Sequence, residues 1–491
     1  MRKIIFASIF FLGSTVAFAQ SALDALRYSY IWHGGNARYM SMGGAFGALG
    51  ANTSVFSTNP AGIGLFNNPE FNISSSILNS KSESVYNGDK GTDSRFNTTL
   101  SNIGIVLTKD YLNIETYGKW KNVQFGFGFN QLKNFNRSIH ITGNNTSNSI
   151  ADMYAELANG ASVQEIEDDT YGEYTYDLNP AWWSYLFNNI ENTNQYYGNT
   201  PPGGVFQNKF IESWGSMNEV SLTFGANYDN KLYLGATIGI PYYNYQERSI
   251  YTENALQTVI PSSSFRSLDI EDRLDSKGTG FNFKFGAIYR ANDWLRFGLA
   301  IHTPTYFAQI QDEWDISIGS TWDSYSDTTA YSPVGFYEYN LTSPFKTLAS
   351  IAFVIKNYGL ISADFEVIDY STAKLQAPDY NFASENDDVR MTYTAAGNIK
   401  LGTEWRVKNF SFRGGFSYYG SPYKNNINDA SATSYSLGIG YKERNFYFDV
   451  AWVTTNQSED YYLYGYNNVY ANKAVNSLNN SNFLITYGYR F

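Results

Sequence analysis

The residue types that usually carry chemistry are scarce in this chain of 491 residues, which has no cysteine and only His33, His140 and His302 as histidines. The absence of thiols excludes disulfide scaffolds, thiolate metal sites and cysteine nucleophiles. Histidine can ligate haem iron or act as the general base of a hydrolase. Because the three histidines are scattered and no nucleophile motif accompanies them, we predict no catalytic residues, no metal site and no cofactor.

A glycine-rich stretch containing Gly43, Gly44, Gly47 and Gly50 is the next candidate. A phosphate-binding loop would follow a strand and precede a Lys-Ser or Lys-Thr pair, and this stretch does neither. The chain has 34 Lys and Arg residues against 45 Asp and Glu residues, a formal net charge of −11. Nucleic-acid-binding proteins need the opposite balance, so we predict no nucleic-acid partner.

The first nineteen residues have the pattern of an export signal. Arg2 and Lys3 form a positive start, residues 4–12 an apolar stretch, and Ala17-Phe18-Ala19 a cleavage site between small residues. The apolar stretch is shorter than the ~18 to 20 residues that a membrane-spanning helix requires. We therefore predict a signal peptide over residues 1–19.

Period-two alternation dominates the rest of the chain. In residues 123–129, Val and Phe at odd positions alternate with Gln and Gly, and similar patterns recur in 281–289, 401–407 and 483–491. Such alternation indicates strands that are apolar on one face only. The predicted strands cover residues 70–79, 97–108, 122–142, 216–228, 231–250, 278–291, 294–310, 346–356, 359–371, 395–407, 410–419, 434–444, 446–456 and 482–491.

The connections between these strands alternate between short turns and longer polar loops, of which 143–215, 251–277 and 311–345 are the longest. Bacterial outer-membrane barrels have this asymmetry and even strand numbers. An open sheet edge in hydrocarbon would leave many backbone groups unpaired, so the sheet must close. We predict an all-β fold, a transmembrane antiparallel β-barrel of about 14 strands in the outer membrane of a diderm bacterium. A soluble exported β-protein is the alternative.

The last strand ends on an aromatic residue. Tyr487, Tyr489 and Phe491 occupy alternate positions up to the final residue. This arrangement resembles the signal by which the outer-membrane barrel assembly machinery selects its clients. We therefore predict the assembly machinery and outer-membrane lipids as partners.

Residues 20–68 lack sustained alternation and are rich in small and apolar residues. A segment of this length cannot form an independent core of normal stability, so it needs a cavity to fold into. A barrel of fourteen strands is wider than the eight-stranded barrels that side chains alone can fill. We predict that residues 20–68 form an N-terminal hatch inside the lumen of a barrel built by residues 69–491.

Two motifs in this segment carry a family resemblance: GNARYMSMGGAF, from Gly35 to Phe46, and Asn59-Pro60-Ala61-Gly62. They resemble the N-terminal hatch of the FadL family, outer-membrane transporters of long-chain fatty acids and other hydrophobic compounds. The resemblance implies a fourteen-stranded barrel, an extracellular cap formed by 143–215, and a lateral exit beside a kinked third strand. Some FadL-like proteins are also labelled hemin receptors.

Within the hatch, Asn59-Pro60-Ala61 is predicted to be a conformational stop, because Pro60 fixes its own φ and moves Asn59 out of the helical region. Methionine side chains can line an adaptable apolar pocket, although packing against the barrel wall is the alternative. The predicted ligand-binding and gating residues are Asn59, Pro60, Ala61, Gly62, Met40, Met42, Phe46, Gly43 and Gly44. Gly126 and Gly128 are the candidates for the kink in the third strand.

We predict a non-enzymatic, hatch-gated passive transporter of hydrophobic molecules such as long-chain fatty acids. Uptake of haem or aromatic compounds is one alternative. An outer-membrane hydrolase built around His302 and an adhesin barrel that uses its long loops are two others. The chain is too short for an energised receptor with roughly 22 strands and a large plug.

Overall fold

The computed structural model describes residues 22–31, 34–110, 119–256, 265–323, 326–424 and 427–491. The described residues form an antiparallel barrel that closes because the first strand pairs with both the second and the last. Its fourteen strands, in both chain order and spatial order, are β1 (Glu70–Tyr86), β2 (Asp89–Asp110), β3 (Trp120–Asn134), β4 (Val205–Tyr228), β5 (Leu232–Ala255), β6 (Phe265–Arg290), β7 (Leu295–His302), β8 (Lys346–Ile355), β9 (Gly359–Asp369), β10 (Ala395–Val407), β11 (Phe410–Tyr419), β12 (Ala432–Lys442), β13 (Phe446–Tyr462) and β14 (Lys473–Arg490).

Several strands continue past a break. After β3 the chain resumes as an extended segment, Arg137–Asn145, here called the inner arm. After β7, the Thr303-Pro304-Thr305 break leads into Tyr306–Trp322, which pairs with Gly335–Thr342 just before β8. Proline has no backbone donor, so Pro304 interrupts the ladder. Shorter strands are Phe187–Asn189, Tyr196–Gly198, Thr328–Tyr331, Lys374–Gln376, Gly465–Tyr466 and Val469–Tyr470.

Among the described residues, helices occur only inside the barrel and in its loops. Before β1 lie α1 (Ala22–Ser29), α2 (Ala37–Met40) and the 3₁₀ turns Thr53–Ser57 and Pro60–Leu65. The loop after the inner arm holds α3 (Ile150–Ala158), α4 (Val163–Glu167) and α5 (Leu178–Trp183), and the loop between β9 and β10 holds a 3₁₀ turn, Tyr370–Thr372, and α6 (Ala383–Thr392). None of the helices described here has the length and apolarity needed to cross a bilayer.

All fourteen strands predicted from the sequence are present, and the predicted barrel is confirmed. The barrel has a short-turn end, where for example β4 and β5 are joined by residues 229–231, and a long-loop end. At the long-loop end the strands extend beyond their predicted bounds, so that residues 251–255, 265–277, 311–322 and 335–342 are strand rather than loop. Alternation marks a strand only where one face must be apolar, and the outward face there is polar, as with the exposed Lys81 and Glu83.

The outward face of the wall carries a belt of large apolar side chains. Phe125 and Phe127 on β3 and Phe281, Phe283 and Phe285 on β6 are 39% to 51% exposed. Equivalent residues lie on the other strands, including Leu299, Phe365, Leu401, Phe412, Leu437, Phe448 and Ile485. A belt of this extent is unfavourable in water and favourable in lipid, and it identifies a membrane-spanning barrel.

We predict that Phe285→Lys, near the middle of the belt, lowers the free energy of unfolding in lipid vesicles by about 2 to 4 kcal/mol, because it places a charge in hydrocarbon. Tyr331→Lys is the matched control, since Tyr331 is 74% exposed at the long-loop end. Urea unfolding followed by tryptophan fluorescence measures both variants. Equal stability of the two variants would contradict a lipid-facing belt.

Candidate functional site

Three short helical turns fill the lumen, and each begins at an asparagine. They lie within residues 34–66, here called the plug. The side chains of Asn36, Asn52 and Asn59 accept hydrogen bonds from the backbone amides of Tyr39, Ser54 and Ala61, respectively. Such caps satisfy backbone donors at the start of a helical turn. Asn36 and Asn52 also exchange two side-chain hydrogen bonds at 3.0 and 2.9 Å, which joins the first two turns.

Asn59 connects the last turn of the plug to its glycine-rich centre. Its side-chain nitrogen donates to the carbonyl of Gly47 at 2.6 Å, while its backbone stays extended and Pro60 occupies the first position of the turn. The extended backbone is the conformation expected before proline. Asn59, Pro60, Ala61 and Gly62 are all buried. The geometry agrees with a conformational stop, and the gating role stays a prediction.

Inward-facing glycines allow the plug to lie directly against the wall. A Cβ atom on any of them would come closer than 3.0 Å to a plug atom. No larger residue fits there unless the plug moves. These glycines, from nine strands, are Gly104, Gly126, Gly128, Gly225, Gly235, Gly286, Gly298, Gly402, Gly415 and Gly438.

Gly126 and Gly128 therefore have a different role from the predicted one. They pair with Val106 and Gly104 in an unbroken ladder between β2 and β3. Their missing side chains make room for the ring of Phe56. The prediction that they form the kink was wrong, because the space they provide is filled from inside the lumen rather than used for a bend.

Buried wall carboxylates hold the plug in place. Glu404 accepts from Arg38 at 2.8 Å, Glu219 from the Ser57 hydroxyl at 2.8 Å, and Asp364 from the backbone amide of Gly47 at 2.9 Å. All three carboxylates are at most 4% exposed. Hydrogen bonds to ionised groups are stronger than neutral ones, so these contacts fix the position of the plug.

Two of these three carboxylates, Glu404 and Glu219, are also paired with basic residues of the wall. Glu404 accepts from Arg413 at 2.8 Å and Arg406 at 2.6 Å, and Glu219 pairs with Lys284. A buried carboxylate needs such pairing to remain ionised. Arg38 is the only charged residue in the sequence from 34 to 66, so the Arg38–Glu404 pair is an ionic contact that no other residue of the plug can duplicate.

The predicted apolar pocket residues separate into two groups. Met42 and Phe46 are fully buried and pack with Tyr39 inside the plug, and the Tyr39 and Phe46 ring centroids are 5.4 Å apart. Met40 instead lines a cavity of the lumen. Gly43 and Gly44 have φ angles of +62° and +72°, which glycine adopts without strain. They turn the chain between Met42 and Phe46.

This cavity of about 290 Å³ lies between α1, the plug and the wall. Its apolar lining includes Leu23, Leu26, Met40, Leu78 and Val453. Three basic residues from different elements also line it: Arg27 of α1, Lys133 of β3 and Arg137 of the inner arm. The cavity is therefore amphipathic, with a cationic cluster beside an apolar surface.

Two residues of this basic cluster have an acidic partner, and the third, Lys133, bonds to a backbone carbonyl. Arg137 lies 3.5 Å from Glu459, the acidic residue among those that line the cavity. Arg27 pairs with Asp24 on its own helix and lies 4.5 Å from the centre of the Tyr245 ring. The Lys133 ammonium donates to the backbone carbonyl of Arg27 at 2.8 Å. Sequence reasoning missed the cluster because its members lie on three separate elements.

The wall is interrupted beside the cavity, between β2 and β3. The ladder of these strands ends at the pair Asn102 and Asn130. Beyond it the carbonyl of Gln131 accepts from the plug residue Gly34 at 3.1 Å rather than from β2. Further along, Phe135 donates to Gly215 on β4, where a φ of +109° requires glycine. The third strand is thus kinked inward at residues 135 and 136.

Side chains bridge the resulting gap, here called the side window. Thr99 donates to Gln131 at 3.1 Å, and Asn134 donates to Asn97 at 3.2 Å. Past the window the inner arm pairs with β4 and lies on the inner face of the hairpin of β1 and β2, where Ser82 donates to the carbonyl of Ser138 at 2.7 Å. Gln131 and Asn134 of the window also line the cavity, so the window lies directly beside it.

The loop with α3, α4 and α5 covers the long-loop end. Its buried residues, such as Tyr154 and Leu178, pack in one cluster with Tyr86 of β1 and Tyr251 of β5. Trp182, singled out in the sequence, donates to Glu167 at 2.9 Å, whereas Trp183 is 47% exposed. Burial raises the pKa of Asp177, which caps α5, to about 6.

Both described histidines have structural partners. The Nε2 atom of His302 lies 2.6 Å from the carbonyl of Thr58 in the plug. His140 lies 2.6 Å from the side-chain oxygen of Asn208 and stacks on Phe210. His33 lies outside the described residues. Over the part of the chain that is described, no group of three or more His, Cys, Asp or Glu is arranged to hold a metal ion.

The last strand, which closes the barrel by pairing with β1, ends at the short-turn end. Tyr487 and Tyr489 face outward and are 45% and 37% exposed, and Phe491 is 67% exposed. The backbone amide of Phe491 donates to the carbonyl of Pro69 at 3.2 Å. This outward aromatic row is compatible with an assembly signal, which stays a prediction.

The architecture is that of a plugged, membrane-spanning barrel with a kinked third strand, and solved structures are similar to it in overall fold. A Pseudomonas aeruginosa FadL homologue matches with a TM-score of 0.54 and 10% identity, over 94% of this chain and all of that one. The Pseudomonas putida toluene transporter TodX matches at 0.53 and 11%, over 94% of this chain and 100% of that one. The Ralstonia pickettii toluene transporter TbuX matches at 0.52 and 14%, over 93% and 98%.

These similarities confirm, at the level of the fold, the FadL resemblance found in the sequence. No family model matches the chain, and no curated protein matches it. Because the identities are at most 14%, the similarities define the fold, and the transported molecule must be argued from the residues of the cavity.

We predict that Gly415→Ala displaces the plug, because the new Cβ would overlap the backbone of Met42 and Gly43. Overpacking of this kind costs about 1 to 3 kcal/mol. Since the chain has no cysteine, Ala45→Cys supplies a unique and fully buried label. Maleimide labelling at this site should become about tenfold faster, as a loss of about 1.4 kcal/mol corresponds to a factor of ten.

The neighbouring Gly414→Ala is the matched control, because its Cβ has no neighbour closer than 3.9 Å. Its labelling rate should equal that of the parent. If Gly415→Ala labels no faster than Gly414→Ala, the wall glycines do not determine how the plug is seated.

Proposed function

We propose that this protein is a passive outer-membrane channel for a hydrophobic molecule with a carboxylate head, such as a long-chain fatty acid. The observation that carries the proposal is the amphipathic cavity beside the side window. Its apolar surface suits an alkyl chain, and its cationic cluster suits a carboxylate. Passive passage needs no catalytic group.

The cationic cluster favours an anionic molecule over a neutral hydrocarbon. Arg27, Lys133 and Arg137 line one cavity whose lining includes a single acidic residue, Glu459. Removing charges from water without a counter-charge is costly, so a surplus of basic groups favours an anion in the cavity. Arginine forms bidentate hydrogen bonds with carboxylates, which adds geometric selectivity.

The side window supports a lateral route out of the lumen. Backbone without ladder partners is tolerated at membrane depth only where it is buried in protein or lines a cavity. The amide side chains of Asn97, Gln131 and Asn134 cover the free strand edges of this window. The molecule enters beneath the cap, binds in the cavity and leaves through the window into the membrane.

The plug couples to this route at one residue. Gly34 donates to the carbonyl of Gln131, so the start of the plug occupies the place of the missing strand partner. A small movement of the chain at Gly34 frees this edge of the window. The Asn59–Gly47 hydrogen bond and the wall carboxylates keep the remainder of the plug seated.

Uptake of small aromatic compounds is the second candidate. Tyr30, Phe135, Tyr245 and Tyr423 line the same cavity and supply aromatic surface. Two of the solved structures with this fold are titled toluene transporters. Haem uptake has less support, because the two described histidines are engaged with Thr58 and Asn208.

We predict that Lys133→Met lowers the uptake of oleate about tenfold and leaves the uptake of toluene unchanged, since it removes a charge-assisted hydrogen bond of roughly 1.5 to 3 kcal/mol. Lys133 is suitable because its ammonium group donates to a backbone carbonyl, that of Arg27, rather than to a carboxylate. The uptake of radiolabelled oleate and of radiolabelled toluene is measured in vesicles or cells that contain the protein.

Lys119→Met is the matched control, because Lys119 is 65% exposed at the short-turn end, and Lys133→Arg should retain oleate uptake. A loss of toluene uptake together with normal oleate uptake would favour the aromatic-compound channel. Unchanged oleate uptake in Lys133→Met contradicts a carboxylate site in this cavity.

We predict that closing the side window stops uptake. The pair Asn97→Cys and Asn134→Cys places two thiols across the gap, where the native side chains are joined by a hydrogen bond. A short, reducible bifunctional thiol reagent should abolish oleate uptake, and reduction should restore it, because the lateral route is blocked and then reopened.

Thr433→Cys with Asn456→Cys is the control pair, because these residues are paired neighbours in the intact ladder of β12 and β13. Cross-linking this pair should leave uptake unchanged. Normal uptake after complete cross-linking of the window pair would rule out the lateral route.

A further inference from the structure

A second recess opens at the short-turn end, on the side of the plug opposite the cap. It has a volume of about 650 Å³. Plug residues Gly50, Ala51, Asn52 and Leu65 contribute to its floor, and the ends of the barrel strands form its sides. The recess is separate from the amphipathic cavity, and among its lining residues none is shared with that cavity.

Basic residues outnumber acidic ones in this recess by two to one. The acidic residues that line it are Glu70, Glu404, Glu443 and Asp449. The basic residues that line it are Arg38, Arg290, Arg296, Arg406, Lys408, Arg413, Lys442 and Arg490. The chain as a whole carries a net charge of −11. A positive recess in an acidic protein focuses the electrostatic potential and attracts anions.

The ion pairs of the recess leave part of this positive charge uncompensated. Glu404 is shared by Arg38, Arg406 and Arg413, while Asp449 accepts from Arg413 at 2.6 Å and Glu70 from Arg490 at 2.7 Å. These three acidic groups are therefore already paired with arginines and do not neutralise the other basic residues of the recess.

Arg290 pairs with Asp293, so the surplus comes from Arg296, Lys408 and Lys442. The Nε atom of Arg296 is buried and has no hydrogen-bond partner among the described residues. Within the same ranges neither Arg296 nor Lys442 forms a salt bridge, and the charges that act on Lys442 include those of Arg38, Arg406 and Arg490. A buried donor without a partner is costly, and a bound anion removes this cost.

We propose that the recess at the short-turn end is a binding site for an anion, a carboxylate or phosphate group, which the Arg296 guanidinium binds while Lys442 adds to the positive charge of the recess. Guanidinium groups match the oxygen geometry of both anions, and ammonium groups bind phosphate as point charges. The group reaches the site from the aqueous side as a free anion or as the head of an amphiphile. Its place beside Arg38 puts it next to the ionic contact between plug and wall.

Titration calorimetry of the purified full-length protein in a neutral detergent tests this site. One arm uses inorganic phosphate at constant ionic strength, with chloride as the balancing anion. The other arm uses decanoate, with decanol as the uncharged comparison. The variant is Arg296→Gln with Lys442→Gln, which removes two charges and keeps the described ion pairs of Glu404, Asp449 and Glu70 intact.

The control is Lys119→Gln with Arg444→Gln, which removes the same charge at the same end, from residues outside the recess lining. We expect binding of at least one anion to weaken about tenfold or more in the recess variant, as for loss of charge-assisted hydrogen bonds. The control should bind like the parent. Gel migration of unheated samples reports that each variant is folded.

Phosphate binding that weakens in the recess variant assigns the site to a free anion, and decanoate binding that alone weakens in this variant assigns it to an amphiphile. The proposal is overturned if neither anion binds the parent, or if the recess variant and its control bind equally. Because Lys133 and the side window are unchanged in these variants, this outcome is independent of the transport experiments.

Discussion

The requirement that every backbone donor and acceptor in lipid find a partner shapes the whole molecule. Closure of β1 onto β14 meets that requirement around the barrel. At the side window the backbone partners are supplied by Gly34 of the plug instead of a neighbouring strand, and side chains such as that of Asn134 bridge the gap. The plug is therefore part of the wall as well as a stopper, and the window exists because the plug supplies the missing hydrogen bond.

The plug can serve this purpose only because the wall lets it approach at backbone distance. Inward glycines such as Gly298 and Gly415 remove the side chains that would hold it away. Glycine weakens a strand, since it adds backbone entropy and packs no side chain. Here that cost is offset by the buried surface of Phe56, Ile63 and their neighbours against the wall.

The membrane-spanning strands could be predicted from the sequence because hydrocarbon forces one face to be apolar. The parts of β1 and β6 at the long-loop end were not predicted, because both of their faces contact water or protein and the apolar–polar alternation is lost there. Gly126 and Gly128 were misinterpreted since a glycine that bends a strand and one that admits a ring look alike in sequence. Arg27, Lys133 and Arg137 could not be grouped, because only the inward kink after β3 and the position of α1 bring them together.

A lateral exit resolves the conflict between a firmly seated plug and passage through the lumen. The plug contacts glycines on nine strands and three buried carboxylates, and releasing all of these contacts in each transport cycle would require breaking several charge-assisted hydrogen bonds at once. The proposed exit through the window requires a change only at the backbone hydrogen bond of Gly34 and at the two side-chain hydrogen bonds that bridge the gap. Since a hydrogen bond contributes about 1 kcal/mol net, thermal motion is sufficient for that step. The extensive contacts elsewhere then keep the lumen sealed while the window opens.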